Sequence, residues 1–400
     1  MINRNVIIIG QQPWDTEIGS NCKNIALELS KRNTVLYVNS PLDRVTRYKE
    51  YANLKVKKRL RVIKGKENGL VLIKENLWNL YPDCMVESIN WIANPSIFNY
   101  LNKRNNRKFS NSIKKALEEL GFKDFLLFND NELLKGFYLK DLLFPSLSIY
   151  YSRDYILAVD YWKRHGERLE PLIIAQNDLC LANSLYLTDY CRTYNENSYY
   201  VGQGCDIEMF KEVNVSSIPN ELRDIKTQII GYVGALNSAR LDISLIYYIA
   251  NERKDLTFVL VGPEDEDFTH SDLHHLENVV FTGMKKPEEL PLYVNSFDVC
   301  INPQLVNMIT VGNYPRKIDE YLAMGKPVVA TQTRAMEIFS SYVYLAESKE
   351  NFALFIQKAL EENTEGLQIS RRAFASSHTW ANCVNEIYTA ISKSLKIKQP

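Results

Sequence analysis

Short apolar segments that alternate with helical segments are the feature of this sequence that most restricts its fold. Residues 5–9 predict a strand that ends at Gly10. Ser20 can cap a helix that runs to Leu29, and residues 34–38 predict the next strand. This strand–helix–strand order is the repeat of a parallel sheet. The same half of the chain has further apolar strand segments at residues 125–128, 147–151 and 179–182.

A second series of strands, separated by helical segments, repeats the pattern in the second half of the chain. Its strands are predicted at residues 228–233, 256–261, 279–281, 299–301 and 328–330. Because 400 residues exceed one ordinary core, we expect two α/β domains. Both are expected to be Rossmann-like and doubly wound, and to face a central crevice where the carboxyl ends of their strands bind ligands.

The turn-rich stretch at residues 202–220, where Gly, Asn, Ser and Pro cluster, is the predicted boundary between the two domains. The first domain then covers residues 1–205, and the second covers residues 206–372. The remaining residues, 373–400, predict a C-terminal helix in which Trp380 and Ile387 are packing residues.

Composition excludes several classes of protein. The chain has 48 basic and 48 acidic residues, which argues against a nucleic-acid partner bound by bulk charge. Seven cysteines occur singly, without a CxxC pair, and predict a reduced cytoplasmic protein. No apolar run approaches the roughly 20 residues that span a bilayer, and the run at residues 6–9 is too short for a signal peptide. The basic segment at residues 49–66 predicts either a solvated face or peripheral contact with anionic lipid at the inner membrane.

Residues 314–331 predict a helix that ends at a glycine and leads directly into a buried strand. Pro315 suits the first turn of such a helix, where its missing N–H costs nothing. A helix start presents free N–H groups and a positive dipole, both of which suit a phosphate. Arg316 and Lys317 add cations at that start, and Glu320, one turn later, can hold two sugar hydroxyls. The segment therefore predicts a site for a nucleotide diphosphate.

Six short sequence motifs occur in order along the chain. They lie at residues 201–206, 231–236, 261–263, 280–284 and 297–303, and at Glu320 with residues 323–329. Their order and spacing resemble the GT-B glycosyltransferases, most closely glycosyltransferase family 4 (group 1), over nearly the whole chain. The resemblance implies that the first domain binds the acceptor and the second domain binds the nucleotide-sugar donor. The C-terminal helix around Trp380 is similar to the family's terminal helix, which crosses back to the first domain.

The resemblance also assigns donor-site roles to residues of the second domain. Glycine turns line the nucleotide, cations meet its diphosphate, and a glutamate holds its ribose. The donor-binding candidates are Gly234, Arg240, Gly262, Gly283, Met284, Thr310, Asn313, Arg316, Lys317 and Glu320. The sequence departs from the family's pattern at Gly312, where the family has a first glutamate eight residues before the second. Phosphate contact is therefore expected from Arg240, Lys317 and backbone N–H groups.

In the first domain, loops that follow strands supply the other candidates. The loop at residues 12–22 follows the first strand and provides an acceptor-side set, namely Gln12, Trp14, Glu17, Gly19 and Asn21. Asp154, at the tip of a later strand, is a candidate catalytic residue together with Lys317; the alternative is that it caps the next helix. No histidine stands in a metal-ligand spacing, so no metal site is predicted.

The sequence thus predicts a hexosyltransferase-type enzyme that moves a sugar from a UDP- or GDP-sugar to a glycan or lipid-linked acceptor. The expected setting is surface polysaccharide assembly in the cytoplasm or at the cytoplasmic face of the membrane. The helix start and the cations stabilise the leaving diphosphate without a metal ion or a cofactor, and the resemblance implies a retaining outcome. Two alternatives stay open: a nucleotide-sugar epimerase of the same fold, and a non-catalytic nucleotide-binding partner subunit, which the absence of the first glutamate at Gly312 motivates.

Overall fold

The computed structural model describes residues 3–16, 19–211 and 218–397, and the chain divides into two compact units. The first unit consists of the chain up to Gly202 together with the chain from Cys383 onward, and the second unit runs from Gln203 to Asn382. The predicted boundary after residue 205 lies a few residues later than this division. The chain returns to the first unit at residue 383, whereas the predicted C-terminal segment began at residue 373.

The strands of the first unit form one large sheet and one small sheet. They are β1 (Asn5–Gly10), β2 (Thr34–Asn39), β3 (Leu42–Asp43), β4 (Leu70–Lys74), β5 (Leu77–Leu80), β6 (Met85–Val86), β7 (Phe125–Asp130), β8 (Leu147–Ser152), β9 (Leu179–Ala182) and β10 (Ser198–Tyr200). The large sheet has the order β10-β9-β8-β7-β1-β2-β5-β4, and β3 pairs with β6 in the small sheet. Neighbours in the large sheet are parallel except β4 and β5, which are antiparallel.

The helices of the first unit connect these strands. They are α1 (Asn21–Leu29), α2 (Arg44–Lys49), α3 (Leu54–Ile63), α4 (Pro95–Leu120), α5 (Leu139–Leu143), α6 (Asp160–Gln176) and α7 (Leu185–Arg192), with a 3-10 turn at Ile156–Ala158. The long helix α4 ends at Gly121, which has the left-handed conformation that stops a helix (φ 68°). Buried Phe109 and Ile113 of α4 pack in one cluster with Ile7 of β1 and Leu36 of β2.

The strands of the second unit form a single parallel sheet. They are β11 (Ile229–Val233), β12 (Thr257–Val261), β13 (Val279–Gly283), β14 (Val299–Asn302), β15 (Val328–Thr331) and β16 (Tyr344–Ala346). The sheet has the order β13-β12-β11-β14-β15-β16, with parallel neighbours. The chain order reverses between β11 and β14, and loops that follow two such strands form the usual ligand site of an open parallel sheet.

Helices of the second unit lie on both faces of that sheet. They are α8 (Glu208–Lys211), α9 (Ile243–Glu252), α10 (Glu266–Thr269), α11 (Leu290–Ser296), α12 (Arg316–Ala323), α13 (Lys349–Glu361) and α14 (Glu365–Ser376), followed by α15 (Trp380–Ile397), which continues into the first unit. Short 3-10 turns lie at Asn220–Leu222, Asp272–His275, Pro287–Glu289 and Arg334–Phe339.

Alternate residues of β11 show how the sheet is covered on both faces. Ile229 and Val233 belong to a buried cluster with Ile318 of α12, whereas Ile230 belongs to a second cluster with Ile356 of α13. Because side chains alternate between the two faces of a strand, these two clusters lie on opposite sides of the sheet. The predicted α/β class, with Rossmann-like doubly wound domains, is confirmed.

Candidate functional site

Two glycines meet at the carboxyl end of the central strands of the second unit. The N–H of Gly234, just after β11, donates to the carbonyl of Val261 at 2.8 Å. A Cβ atom on Gly262 would lie 2.0 Å from the carbonyl oxygen of Gly234, and both glycines have positive φ, 141° and 150°. Only glycine fits this crossing, because any side chain would push the two loops apart. The predicted glycine turns therefore lie in direct contact and expose backbone.

The ammonium group of Lys317 faces this crossing. A Cβ atom on Gly234 would lie 2.5 Å from Lys317 Nζ, which places the charge directly over the glycine backbone. The same Nζ lies 5.0 Å from the centre of the Tyr232 ring, a cation–π distance. Within the described ranges, no carboxylate lies at ion-pair distance from Lys317. Its charge is therefore directed at the glycine backbone.

Helix α12 brings the other predicted residues to the same place. Its N-cap, Pro315, provides no side-chain hydrogen bond to the first N–H groups. Two of these groups donate within the chain instead, Arg316 N–H to the carbonyl of Tyr314 at 3.1 Å and Ile318 N–H to the carbonyl of Pro315 at 2.9 Å. Arg316 is exposed beside them, and Glu320 lies one turn later, half-buried. Burial raises the pKa of Glu320, and the positive charges of Arg316 and Lys317 oppose that shift. In the part of the chain that the structure describes, the Glu320 carboxylate has no hydrogen-bond partner.

A buried polar cluster, which the sequence did not reveal, fixes the start of α12. The carboxylate of Asp319 is fully buried and bonds the Tyr314 hydroxyl at 2.8 Å, His378 Nδ1 at 2.5 Å and the Cys205 thiol at 3.1 Å. The N–H of Cys205 also donates to the carbonyl of His378 at 2.9 Å. Since all three partners hold one carboxylate, Asp319 connects the helix to the segments before β11 and after α14.

Two arginines of α14 hold the other end of α12. Arg371 Nη1 donates to the carbonyl of Gly325 at 3.3 Å, and Arg372 Nη2 donates to the carbonyl of Met324 at 3.4 Å. Cations at the last turn satisfy free carbonyls and complement the helix dipole. Helix α12 is therefore anchored at both ends by residues 371–378, which explains why this segment belongs to the second unit.

The loop after β14 contains two of the predicted donor-binding residues, Thr310 and Asn313. Thr310 is buried, and its hydroxyl donates to the carbonyl of Leu305 and accepts from the N–H of Asn307 at 3.1 Å. The Thr310 hydroxyl is therefore engaged within the loop, where it closes the turn, and the donor-binding role of Thr310 stays a prediction. The N–H of Asn313 likewise donates to the carbonyl of Thr310 at 3.0 Å, and its side chain is half-buried.

This loop is tied to the loop that carries Arg240. The N–H of Leu305 donates to the carbonyl of Arg240 at 2.8 Å, and Asn307 Nδ2 donates to the carbonyl of Ala239 at 2.9 Å. The side chain of Arg240 remains exposed. The loops that follow β11 and β14 therefore form one layer, and the Arg240 guanidinium lies on its surface.

Gly283 and Met284 lie at the edge strand of the same sheet. Gly283 pairs with Val261 and has a positive φ of 70°, with open space around its Cβ position. The side chain of Met284 is 80% exposed. Both predicted residues thus lie at the carboxyl edge of the sheet, two strands away from β11.

In the first unit, charged side chains gather at the carboxyl ends of β1, β7 and β8. Arg153 pairs with the fully buried carboxylate of Asp130 at 2.9 Å and with Asp154 at 2.8 Å, and it donates to Gln11 Oε1 at 2.7 Å. Although burial opposes it, the carboxylates of Asp130 and Asp154 raise the pKa of Arg153. Asp154 is not a helix cap, because Tyr155 precedes the next 3-10 turn and Val159 precedes α6.

The cluster includes groups that the sequence did not single out. Asp130 and Arg153 form its buried centre, and Asp130 Oδ2 and Asn131 Nδ2 are buried atoms with no hydrogen-bond partner in the described structure. Buried polar atoms without partners are rare in folded proteins. The sequence does contain one signal for this cluster, because the polar residues 129–131 directly follow the apolar strand residues 125–128.

The predicted acceptor-side loop is held by β2. The N–H of Trp14 donates to Asn39 Oδ1 at 2.7 Å, its ring lies edge-on to Tyr37 at 5.1 Å, and the Tyr37 hydroxyl donates to the carbonyl of Gln12 at 2.6 Å. Trp14 is thus a packed residue of the loop. Gly19 is exposed, Asn21 is the first residue of α1, and Glu17 lies outside the described residues.

Metal-ligand clusters and membrane-spanning helices are both absent from the described ranges. No group of three or more His, Cys, Asp or Glu side chains is arranged to hold a metal ion in these ranges. None of the helices in these ranges combines the length and the hydropathy that a membrane span requires.

Comparison with known proteins agrees with this fold. Residues 227–362 match the family model of the group 1 glycosyl transferases. The putative teichuronic acid biosynthesis glycosyltransferase TuaH of Bacillus subtilis (strain 168) is 28% identical over 280 residues, which are 62% of this chain and 70% of that protein. The resemblance to group 1 glycosyltransferases is confirmed; the narrower assignment to family 4 stays a prediction.

Solved structures of GT-B glycosyltransferases superpose on nearly the whole chain. Sucrose-phosphate synthase from Thermosynechococcus elongatus has a TM-score of 0.68 at 14% identity, covering 99% of this chain and 100% of its own. Anabaena Alr3699/HepE, in complex with UDP, has a TM-score of 0.67 at 16% identity, covering 98% of this chain and 100% of its own. At these identities the likeness concerns the fold. Together, the family match and the fold support a glycosyltransferase of the group 1 type.

Proposed function

We propose that this chain transfers a hexosyl group from a UDP-sugar to a glycan or lipid-linked acceptor in surface polysaccharide assembly. The observation that carries the proposal is the Lys317 ammonium, which faces the backbone of Gly234 and Gly262 without a carboxylate partner in the described chain. A cation, two glycine turns and a helix start together suit a diphosphate. We propose UDP and not GDP as the nucleotide because the similar Anabaena structure contains UDP. Surface polysaccharide assembly is proposed because the Bacillus relative is named for teichuronic acid biosynthesis.

Lys317 and Arg316 would act mainly when the donor bond breaks. The diphosphate gains negative charge as the bond between the sugar and its phosphate oxygen lengthens. Charges that are already in place stabilise that state more than the ground state, which lowers the barrier. Because these groups already supply positive charge, we propose that transfer requires no metal ion or other cofactor.

Glu320 would hold the ribose of the nucleotide. Its carboxylate has no hydrogen-bond partner among the described residues and lies one helical turn beyond Lys317. A carboxylate can accept hydrogen bonds from two adjacent hydroxyls, which distinguishes a ribose from an isolated hydroxyl. The partial burial of Glu320 would strengthen those bonds.

The transfer itself is proposed to retain the configuration of the sugar. The acceptor oxygen forms its bond to the anomeric carbon as the bond from that carbon to the diphosphate breaks. The acceptor proton passes to the leaving phosphate oxygen on the same face, so no protein nucleophile is needed. In the first unit, Asp154 is half-exposed and oriented by Arg153, and we propose that it accepts a hydrogen bond from an acceptor hydroxyl.

The protein is proposed to work in the cytoplasm, in peripheral contact with the membrane that carries its lipid-linked acceptor. A glycan held on a lipid stays at the bilayer surface, so an enzyme that acts on it benefits from being there. The chain needs no spanning helix for this, because basic and aromatic side chains on a protein surface can bind a bilayer.

A ligand panel followed by product analysis tests the proposal. Thermal unfolding is measured with UDP, GDP and their sugars; a ligand at 100 times its Kd adds about 2.7 kcal/mol of stability. We expect UDP and a UDP-sugar to raise the Tm more than GDP does. Stabilisation by no nucleotide would contradict the proposed donor site.

Product analysis then separates the proposal from its two alternatives. With acceptor, a transferase forms a new glycoside and releases UDP. Conversion of the free UDP-sugar into an isomer without acceptor would identify an epimerase. Nucleotide binding without turnover across a broad acceptor panel would identify a non-catalytic partner subunit, the alternative that Gly312 motivates.

A further inference from the structure

Helix α2 of the first unit has no buried residue. A helix of a folded unit normally turns an apolar face to the core. Here the apolar side chains point to solvent instead: Tyr48 is 86% exposed, and Val45 is also exposed. The chain that links α2 to α3 continues this pattern, with Tyr51 73% exposed and Leu54 79% exposed. These aromatic and aliphatic groups have no structural role in the core.

Cations surround these apolar side chains. Residues 44–66 contain ten Lys or Arg and a single acidic residue, Glu50, in a chain whose net charge is zero. Arg44 pairs with Glu87, and Arg59 pairs with Asp15. Arg47 and Lys49 are exposed and form no ion pair within the described ranges. The charge of the chain is therefore strongly uneven, and its positive part coincides with the exposed apolar groups.

Trp91 extends the same surface. Ser88 accepts a hydrogen bond from the N–H of Val45 at 3.0 Å, and its hydroxyl donates to Asp43 at 2.6 Å, so the start of α2 is fixed to this segment. The indole N–H of Trp91 donates to the carbonyl of Ser88 at 3.0 Å, and Trp91 is 72% exposed. We call Arg44, Arg47, Tyr48, Tyr51, Leu54 and Trp91 the basic–aromatic surface.

A pocket in this surface is lined by Arg44, Arg47, Tyr48 and Tyr51 and has a volume of 610 Å³. The Arg47 guanidinium, which forms no ion pair within the described ranges, can bind a phosphate, and the two tyrosine rings beside it offer both apolar area and hydroxyls. The lining therefore combines the two kinds of contact that a phospholipid headgroup and its adjacent acyl chain require.

We propose that the basic–aromatic surface binds the anionic surface of a bilayer. Tyr and Trp favour the interface between water and lipid, and cations near that interface are attracted to anionic lipids. A purely solvated face would explain the cations, and so would a polyanion, but neither explains an exposed Leu54 that follows two exposed tyrosines in the chain. The proposal specifies where the protein would meet the membrane, and it does not depend on glycosyl transfer.

Co-sedimentation of the full chain with vesicles tests the proposal, with no donor or acceptor present. We expect binding to vesicles of phosphatidylcholine with phosphatidylglycerol, much weaker binding to phosphatidylcholine alone, and loss of binding at high salt. Arg47→Gln combined with Lys49→Gln should weaken binding about 25-fold, at about fivefold per cation. Tyr48→Ser combined with Leu54→Ser should weaken it at least tenfold through lost apolar contact.

Matched substitutions elsewhere serve as controls. Lys226→Gln with Lys254→Gln removes the same charge from exposed positions of the second unit, and Phe144→Ser removes an aromatic side chain that is 80% exposed. Neither control should change vesicle binding. UDP binding, measured separately by calorimetry, should be unchanged in every variant, which keeps this test apart from the test of the donor site.

Three results would overturn the proposal. The first is absence of vesicle binding at low salt, and the second is equal loss of binding in the control variants. The third is retention of binding by the Tyr48/Leu54 variant together with tight binding of heparin, which would identify a polyanion site instead of a lipid surface.

Discussion

Replacement of Lys317 by alanine is the most direct test of the proposed donor site. The change removes an ammonium group that lies over the Gly234 backbone and has no carboxylate partner in the described chain. A charge-assisted bond to the bound diphosphate is worth about 1.5–3 kcal/mol, so UDP affinity should fall by about 10–150-fold. The charge matters more as the diphosphate leaves, and loss of such a group costs about 10²–10³-fold in turnover.

Folding should tolerate this substitution. The side chain contributes a cation–π contact with Tyr232, which is worth about 0.5–1 kcal/mol at an exposed site, so the Tm should fall by only a few degrees. Calorimetric titration of UDP and steady-state transfer assays measure the two losses. Lys254→Ala, an exposed lysine of the same unit, is the matched control. If Lys317→Ala keeps both the affinity for UDP and the turnover, the proposed diphosphate site is wrong.

Three further changes probe the rest of the site. Glu320→Ala should weaken UDP binding by about tenfold or more, since it removes charge-assisted bonds to the ribose; an unchanged Kd in calorimetry would exclude that role. His378→Ala should lower the affinity for UDP, because buried Asp319 loses the partner that lies 2.5 Å away. His378→Asn keeps a hydrogen-bond donor near that position and should restore part of the affinity. If both variants bind UDP as tightly as the wild type, a positioning role for His378 is excluded. Turnover should survive EDTA, and complete loss that Mg²⁺ or Mn²⁺ restores would refute metal independence.

The sequence predicted the parts of the structure that depend on local pattern. The strands of both series, the helix after Pro315 and the glycine turns at Gly234 and Gly262 follow from apolar runs, a helix start and residues without a Cβ atom. Lys317 could also be predicted, because it stands in the first turn of that helix. Each of these features is encoded within a few neighbouring residues.

Features that depend on contacts between distant residues could not be predicted. Asp319 bonds Cys205 and His378, which lie 114 and 59 residues away in the chain. The pair of Asp130 and Arg153 likewise forms only when β7 and β8 lie side by side. No spacing in one sequence marks such partners, because their contact results from the order of the strands in the sheet.

The anchoring of α12 has a practical consequence for work on an isolated fragment of the second unit. The family match ends at residue 362, yet Arg371, Arg372 and His378, which hold the two ends of α12, all follow it. A fragment cut at the limits of the match, 227–362, would also lack Cys205 and would leave Asp319 buried with only Tyr314 as partner. Since a buried carboxylate that loses partners destabilises a fold, we expect that fragment to be poorly folded. A fragment from Gln203 to Asn382 keeps every one of these contacts and is the better candidate for crystallisation or NMR with UDP.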